Sequence, residues 1–122
     1  MIYLKYQGSD FPVDFRIKNP ADNTYIDPAA LVEVSVYCVD QSGAIAEKFS
    51  LPEKEDYELL EIVEDSIRAW MKRQLTKTLA GKLLHFEINY AEENQELEDN
   101  KQRTIVLSDQ VKIIGVPIEA ES

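Results

Sequence analysis

The chain has 122 residues and a formal charge of −10, from 13 Lys and Arg set against 23 Asp and Glu. One domain of this length hides roughly 65–70 % of its unfolded surface, and a composition of 44 % hydrophobic and 30 % charged residues is that of a folded chain rather than a disordered one. The acidic balance argues against a nucleic-acid binder and against docking on an anionic bilayer, while one cysteine (Cys38) and one histidine (His85) exclude an intrachain disulfide, a cysteine zinc cage and a multi-histidine metal site.

The opening residues carry no basic segment followed by an apolar run, and no stretch approaches the ~20 apolar residues that a bilayer requires. The expectation is a product made in the cytoplasm, and the free thiol fits a reducing compartment. Along the chain the dominant period is two. Phe11, Val13, Phe15 and Ile17 alternate with Pro12, Asp14, Arg16 and Lys18, which predicts a half-buried strand over 11–18. Residues 19–23 form a polar loop. Val32, Val34, Val36 and Cys38 alternate with Glu33, Ser35 and Tyr37 in a second strand. Asp40-Gln41-Ser42-Gly43 then joins two β runs as a short hairpin loop. A strand is expected over 57–63, although Leu59-Leu60 and Ile62-Val63 blur its alternation.

Residues 65–81 admit two readings. Ile67, Trp70, Met71, Leu75 and Leu79 fall at helical spacing, with Ser66 and Gly81 as caps. Alternatively, a strand over 67–72 leads into one helical turn over 75–80. The β spacing on both sides favours the second. Leu84, Phe86, Ile88 and Tyr90 alternate with Leu83, His85, Glu87 and Asn89 in the longest strand signal. A polar excursion over 92–102 follows, then β runs at 103–107 and 111–118 separated by Ser108-Asp109, the last placed at an edge or ended by Pro117. Turn signals near every 8–12 residues are those of a sandwich or barrel.

Little chemistry is available. His85 belongs to the polar face of its strand and Cys38 to the core face of another, so they do not form a nucleophile and base. The acidic runs at 53–65 and 92–99 read as solvated loops and faces. Asp22, Asn23, Thr24 and Asp27 are oxygen-rich without EF-hand spacing, and an Asx-type turn is their expected use. Gly8, Gly43, Gly81 and Gly115 are too dispersed for a phosphate loop. Trp70, Tyr37, Tyr57 and Tyr90 are expected to pack in the core or at its rim rather than form a sugar platform. No catalytic, cofactor-binding or metal-binding residue is assigned, and the chain is not expected to be an enzyme. Arg16, Lys18, Lys72, Arg73 and Lys77 are the basic groups available to an acidic neighbour.

Three segments resemble a known family. Residues 6–17, Tyr-Gln-Gly-Ser-Asp-Phe-Pro-Val-Asp-Phe-Arg-Ile, are similar to the opening of immunoglobulin-like β-sandwich domains in phage and prophage baseplate and tail proteins. Residues 25–31 resemble the turn those domains place before their third strand. Residues 74–84 resemble their short helical turn closed by glycine. The resemblance implies a structural or assembly role, protein partners or further copies of the chain, and carriage on the virion; it carries over no catalytic residues. The expected fold is therefore all-β: one domain over 1–122, an immunoglobulin-like antiparallel β-sandwich of seven to nine strands with one short helical turn near 73–80. The core is expected from Phe11, Val13, Phe15, Ile17, Val34, Val36, Cys38, Leu84, Phe86, Ile88 and Val106. The expected function is non-catalytic assembly of a tail or baseplate through protein–protein contacts, with a carbohydrate- or peptide-binding module as the alternative.

Overall fold

The computed structural model describes residues 2–19 and 21–117. In chain order the elements are β1 (Ile2–Tyr6), β2 (Phe11–Phe15), a 3-10 turn (Pro28–Ala30), β3 (Glu33–Asp40), β4 (Ile45–Leu51), β5 (Glu58–Leu59), β6 (Glu61–Val63), β7 (Ser66–Met71), α1 (Arg73–Thr76), β8 (Leu83–Glu93), β9 (Lys101–Leu107) and β10 (Gln110–Ile114). The large sheet has the order β1-β10-β8-β3-β4-β5, with β9 also on β8; the small sheet has the order β2-β7-β6. The fold is the all-β sandwich expected, with ten strands among the described residues rather than seven to nine. Its ladders are mostly antiparallel, but β1 pairs β10 in parallel and β4 pairs β5 in parallel.

Period-two alternation explains the layers. Phe11 and Phe15 of β2, with Ile17 just beyond it, face Ile67, Ala69 and Met71 of β7 on the inner side of the small sheet. Val34, Val36 and Cys38 of β3 and Leu84, Phe86, Ile88 and Tyr90 of β8 supply the inner side of the large one. Phe15 and Phe86 meet edge to face across the sheets at 5.5 Å between ring centres, a favoured aromatic geometry. Of the expected core, Val13 and Val106 are only partly buried and pack against the rest. Pro12 is tolerated because β2 is an edge strand, where a missing N–H breaks no ladder.

The turns follow their side chains. Asp40 accepts hydrogen bonds from the Ser42 amide, the Ser42 hydroxyl and the Ala44 amide, which folds the β3–β4 hairpin; Gly43 supplies the positive φ of +89°. At Ser108 the strand that began as β9 kinks before β10. The Ser108 hydroxyl accepts from the Phe86 amide and the Ser108 amide donates to the Phe86 carbonyl, each at 3.0 Å, so the β8 edge stays satisfied across the bend.

Two expectations are corrected, and the choice between two readings of residues 65–81 is decided. Residues 57–63 are not one strand: β5 lies in the large sheet and β6 in the small one, and the chain changes sheet at Leu60, 1 % exposed. The doublets blurred the alternation because the inward direction is reset at that crossing. Residues 65–81 are not one helix; β7 precedes a single helical turn, α1, as the strand-plus-turn reading had it, although α1 begins earlier than 75. The last strand ends at Ile114, so Pro117 follows it; residue 118 lies outside the described residues, as does residue 20 of the first polar loop. β1 had no counterpart in the sequence pattern.

Leu60 closes the flank of the sandwich where β5 and β6 meet, and its amide donates to the Ser50 carbonyl at 2.8 Å. Leu60→Ala is expected to cost about 3 kcal/mol of stability, through lost burial and the cavity left behind. The exposed neighbour substitution Leu59→Ala is expected to stay within about 0.5 kcal/mol. Urea unfolding of both variants checks the contrast.

Candidate interaction surface

The flank opposite Leu60 carries β1 and β2, the two edge strands that end their respective sheets. A buried glutamine builds the corner between them. The Gln7 amide donates to the Ile114 carbonyl at 2.8 Å, continuing the β1–β10 ladder. Its side chain donates from Nε2 to the Lys77 carbonyl at 2.7 Å and accepts at Oε1 from the Val116 amide at 2.9 Å. Thr76, fully buried, donates its hydroxyl to the Ser9 carbonyl, and Asp10 accepts from the Arg73 amide. The corner is thus bolted to α1 and to the chain leaving β10.

Two faces diverge from this corner. Tyr3 and Lys5 of β1 point toward the small sheet, where with Phe11, Phe15, Arg16 and Val106 they line an open cleft of about 590 Å³. Two of its charges are paired with residues outside the lining. Asp14 accepts a bidentate pair from Arg68 at 2.7 and 3.0 Å, and this guanidinium holds the Asp14 carboxyl below the usual carboxylate range. Arg16 stacks on the Tyr25 ring at 3.7 Å and reaches Asp65 at 3.8 Å; Lys18 lies 5.1 Å from the same ring.

Ile2, Leu4 and Tyr6 point the other way, onto the outer face of the large sheet. Register extends that face: Leu4 lies beside Lys112, Lys112 beside Leu83, and the alternation along β8 places His85, Glu87 and Asn89 with Leu83. Glu87 and Asn89 pair in turn with Leu107 and Ile105 of β9. Ile2, Leu4, Tyr6, Ile105 and Leu107 are 53–68 % exposed. Five large apolar side chains thus share the outer face of the large sheet with Lys112, His85, Glu87 and Asn89, three of them on β1 and two on β9.

The remaining candidates scatter. Cys38 is buried, its thiol pushed up to about 12 by burial and by the nearby carboxylates of Glu47 and Asp40. His85 lies on the opposite side of its ladder, 3.7 Å from Glu87, so the two meet in no catalytic arrangement. Asp22 accepts from the Thr24 amide and hydroxyl, and Asp27 accepts from the Ala29 amide ahead of the 3-10 turn, the Asx-type use expected of both. Among the described residues no group of three His, Cys, Asp or Glu is arranged to hold a metal ion, and no helix is long and apolar enough to cross a membrane.

The aromatics form no common platform. Tyr90 is 1 % exposed, and its hydroxyl has no partner among the described residues. Tyr37 and Tyr57 share a 3.1 Å hydroxyl contact on the large sheet, with Lys48 and Lys54 over the Tyr57 ring. That hydrogen bond pulls the Tyr57 phenol down, helped by both lysines, and pushes the Tyr37 phenol up. Trp70 lies on the outer face of the small sheet, its indole N–H on Glu61 at 2.9 Å, beside a second cleft of about 320 Å³ that includes Glu58, Lys72 and Gln74. Of the basic groups, Lys72 is 3.7 Å from Glu58, and Lys77 contributes its carbonyl to Gln7. No protein-family model matches the chain, and no curated protein matches it.

The Asp14–Arg68 pair sets a pH dependence. A carboxyl depressed in the folded state contributes stability above its ordinary value, and that contribution is lost as pH falls through the folded value. Asp14→Asn is therefore expected to lower the urea midpoint at neutral pH. Below the carboxylate range, where Asp14 itself is protonated, the midpoints of variant and parent are expected to converge.

Proposed function

We propose that this protein is a non-catalytic assembly component that works through protein–protein contacts. The observation that carries the reading is the apolar outer face of the large sheet, where Ile2, Leu4, Tyr6, Ile105 and Leu107 stand exposed. A monomer gains nothing from such a patch, whereas a subunit buries it against a neighbour. The resemblance to immunoglobulin-like domains of phage baseplate and tail proteins makes a phage or prophage tail the proposed setting. The chain joins neighbours there by surface rather than by chemistry.

A second reading is favoured by one observation, the cleft beside Trp70, where an exposed indole lies near Glu58, Lys72 and Gln74. A ring that offers an apolar face among polar groups suits a sugar or a peptide. Trp70 fluorescence that shifts on titration with a glycan panel supports this binding-module reading; a flat response removes it.

Light scattering over a wide concentration range tests the assembly proposal. The expected mass is a multiple of 14.0 kDa that grows with concentration. A mass of one chain at every concentration overturns it.

A further inference from the structure

We infer that the partner at the β1 edge is a second copy of this chain, joined by antiparallel pairing of β1 with its counterpart about a two-fold axis at Leu4. The inference rests on the assembly reading and specifies the contact.

The first support is the direction of the backbone groups. In a parallel ladder, alternate residues turn both their N–H and their C=O toward the same neighbour. Gln7 donates to Ile114, and Tyr6 is in register with Ile114, so Gln7, Lys5 and Tyr3 are the residues that face β10. Ile2, Leu4 and Tyr6 consequently turn their N–H and C=O toward the sheet edge, where the Tyr6 carbonyl also accepts from the Ser9 amide at 3.2 Å and has one lone pair left for a second donor. In an antiparallel pair, two directly opposed residues of this kind exchange both hydrogen bonds. A two-fold axis through Leu4 sets Leu4 against Leu4 of the second copy and Ile2 against its Tyr6. All three outward residues then meet outward residues, so the edge is complementary to itself.

The side chains and charges agree with that register. Ile2, Leu4 and Tyr6 are also the residues whose apolar side chains stand on the outer face, so pairing at the backbone sets apolar side chains beside one another across the seam. Tyr3 and Lys5 alternate onto the cleft side, where Lys5 is opposed by Tyr3 of the second copy and not by its own counterpart. An ammonium beside an aromatic ring is favourable, whereas like charges directly opposite are not. In a chain with 23 acidic residues, β1 and the neighbouring β10 hold none, and Lys5 and Lys112 are their only charges. An exposed apolar edge strand is a ready template for another strand. β1 lacks the proline that blunts β2, and its one charge, Lys5, is turned into the cleft over the Phe11 ring at 5.3 Å. Closed two-fold pairing uses up the edge in both chains and stops at two.

Cysteine cross-linking reads the register directly. Opposed residues that exchange hydrogen bonds have Cα atoms about 5.5 Å apart, within the range a disulfide spans. Under mild oxidation Leu4→Cys is expected to give mostly covalent dimer. Ile2→Cys is not, because its own counterpart lies four residues along the strand, about 14 Å away. An equimolar mixture of Ile2→Cys and Tyr6→Cys chains is expected to cross-link to each other. Native Cys38, fully buried, does not compete. Leu4→Lys, at a site 65 % exposed, is expected to keep the parent urea midpoint and to weaken the dimer about tenfold or more. Raising salt is expected to tighten the dimer, by screening two chains of charge −10 that meet at an acid-free edge.

An oligomer in which Leu4→Cys fails to cross-link, or in which Ile2→Cys cross-links to itself, overturns the β1 pairing and leaves the assembly reading standing. An association that weakens with salt points instead to contact between basic and acidic surfaces and also overturns it. A single-chain mass at every concentration overturns both.

Discussion

The fold depends on one buried amide. Gln7 sits where the chain leaves the large sheet for the small one, and it ties together two segments far from it in sequence: the end of β10 with the residues that follow, and the turn just after α1. An amide buried with partners contributes modestly, but the same amide left unpaired costs its desolvation. The geometry around Gln7 is therefore strongly specified. Because its backbone continues the β1–β10 ladder, Gln7 also fixes which residues of β1 face inward and which face outward. Gly8 adopts a positive φ of +83° immediately afterwards, letting the chain turn toward β2 without a Cβ in the way.

The two flanks of the sandwich are managed differently. On one, the chain passes from β5 to β6 through Leu60, whose side chain fills the gap between sheets, and the surrounding segment is strongly acidic. Acidic side chains at an edge discourage strand addition. On the other, β2 is protected by Pro12 and by the bidentate Asp14–Arg68 pair, whereas β1 has no proline and a single charge, Lys5, turned to the cleft. The net charge of −10 discourages self-contact over most of the surface, while β1, like β9, carries no acid. In the proposed assembly role, specificity would come from where repulsion is absent as much as from where apolar surface is present.

The strands with one face buried and one face wet were legible in the sequence. β2, β3 and β8 each alternate cleanly because each lines the core on one side only, and Asp40-Gln41-Ser42-Gly43 reads as a turn because its side chains fold it. β1 was not legible: Ile2, Tyr3, Leu4, Lys5 and Tyr6 are apolar or amphipathic on both faces, so no period-two signal marks the strand. β5 and β6 were obscured by the change of sheet at Leu60. Tyr90 alternates in phase with Leu84, Phe86 and Ile88, and its burial on the inner side of β8 follows that pattern. Gln7 carries no motif at all, since its partners at Lys77 and Val116 are supplied by tertiary structure. The candidate surface was thus foreshadowed only as an absence of chemistry, and its position required the register of β1 on β10.

Hydrogen exchange at single amides along β1 tests the central claim most directly. The Leu4 and Tyr6 amides point away from β10, whereas the Lys5 amide belongs to the ladder. If a second copy pairs at this edge, protection of Leu4 and Tyr6 rises with protein concentration while that of Lys5 is already present at high dilution. Rapid exchange of Leu4 and Tyr6 at every concentration, in a chain that scatters as an oligomer, would contradict it.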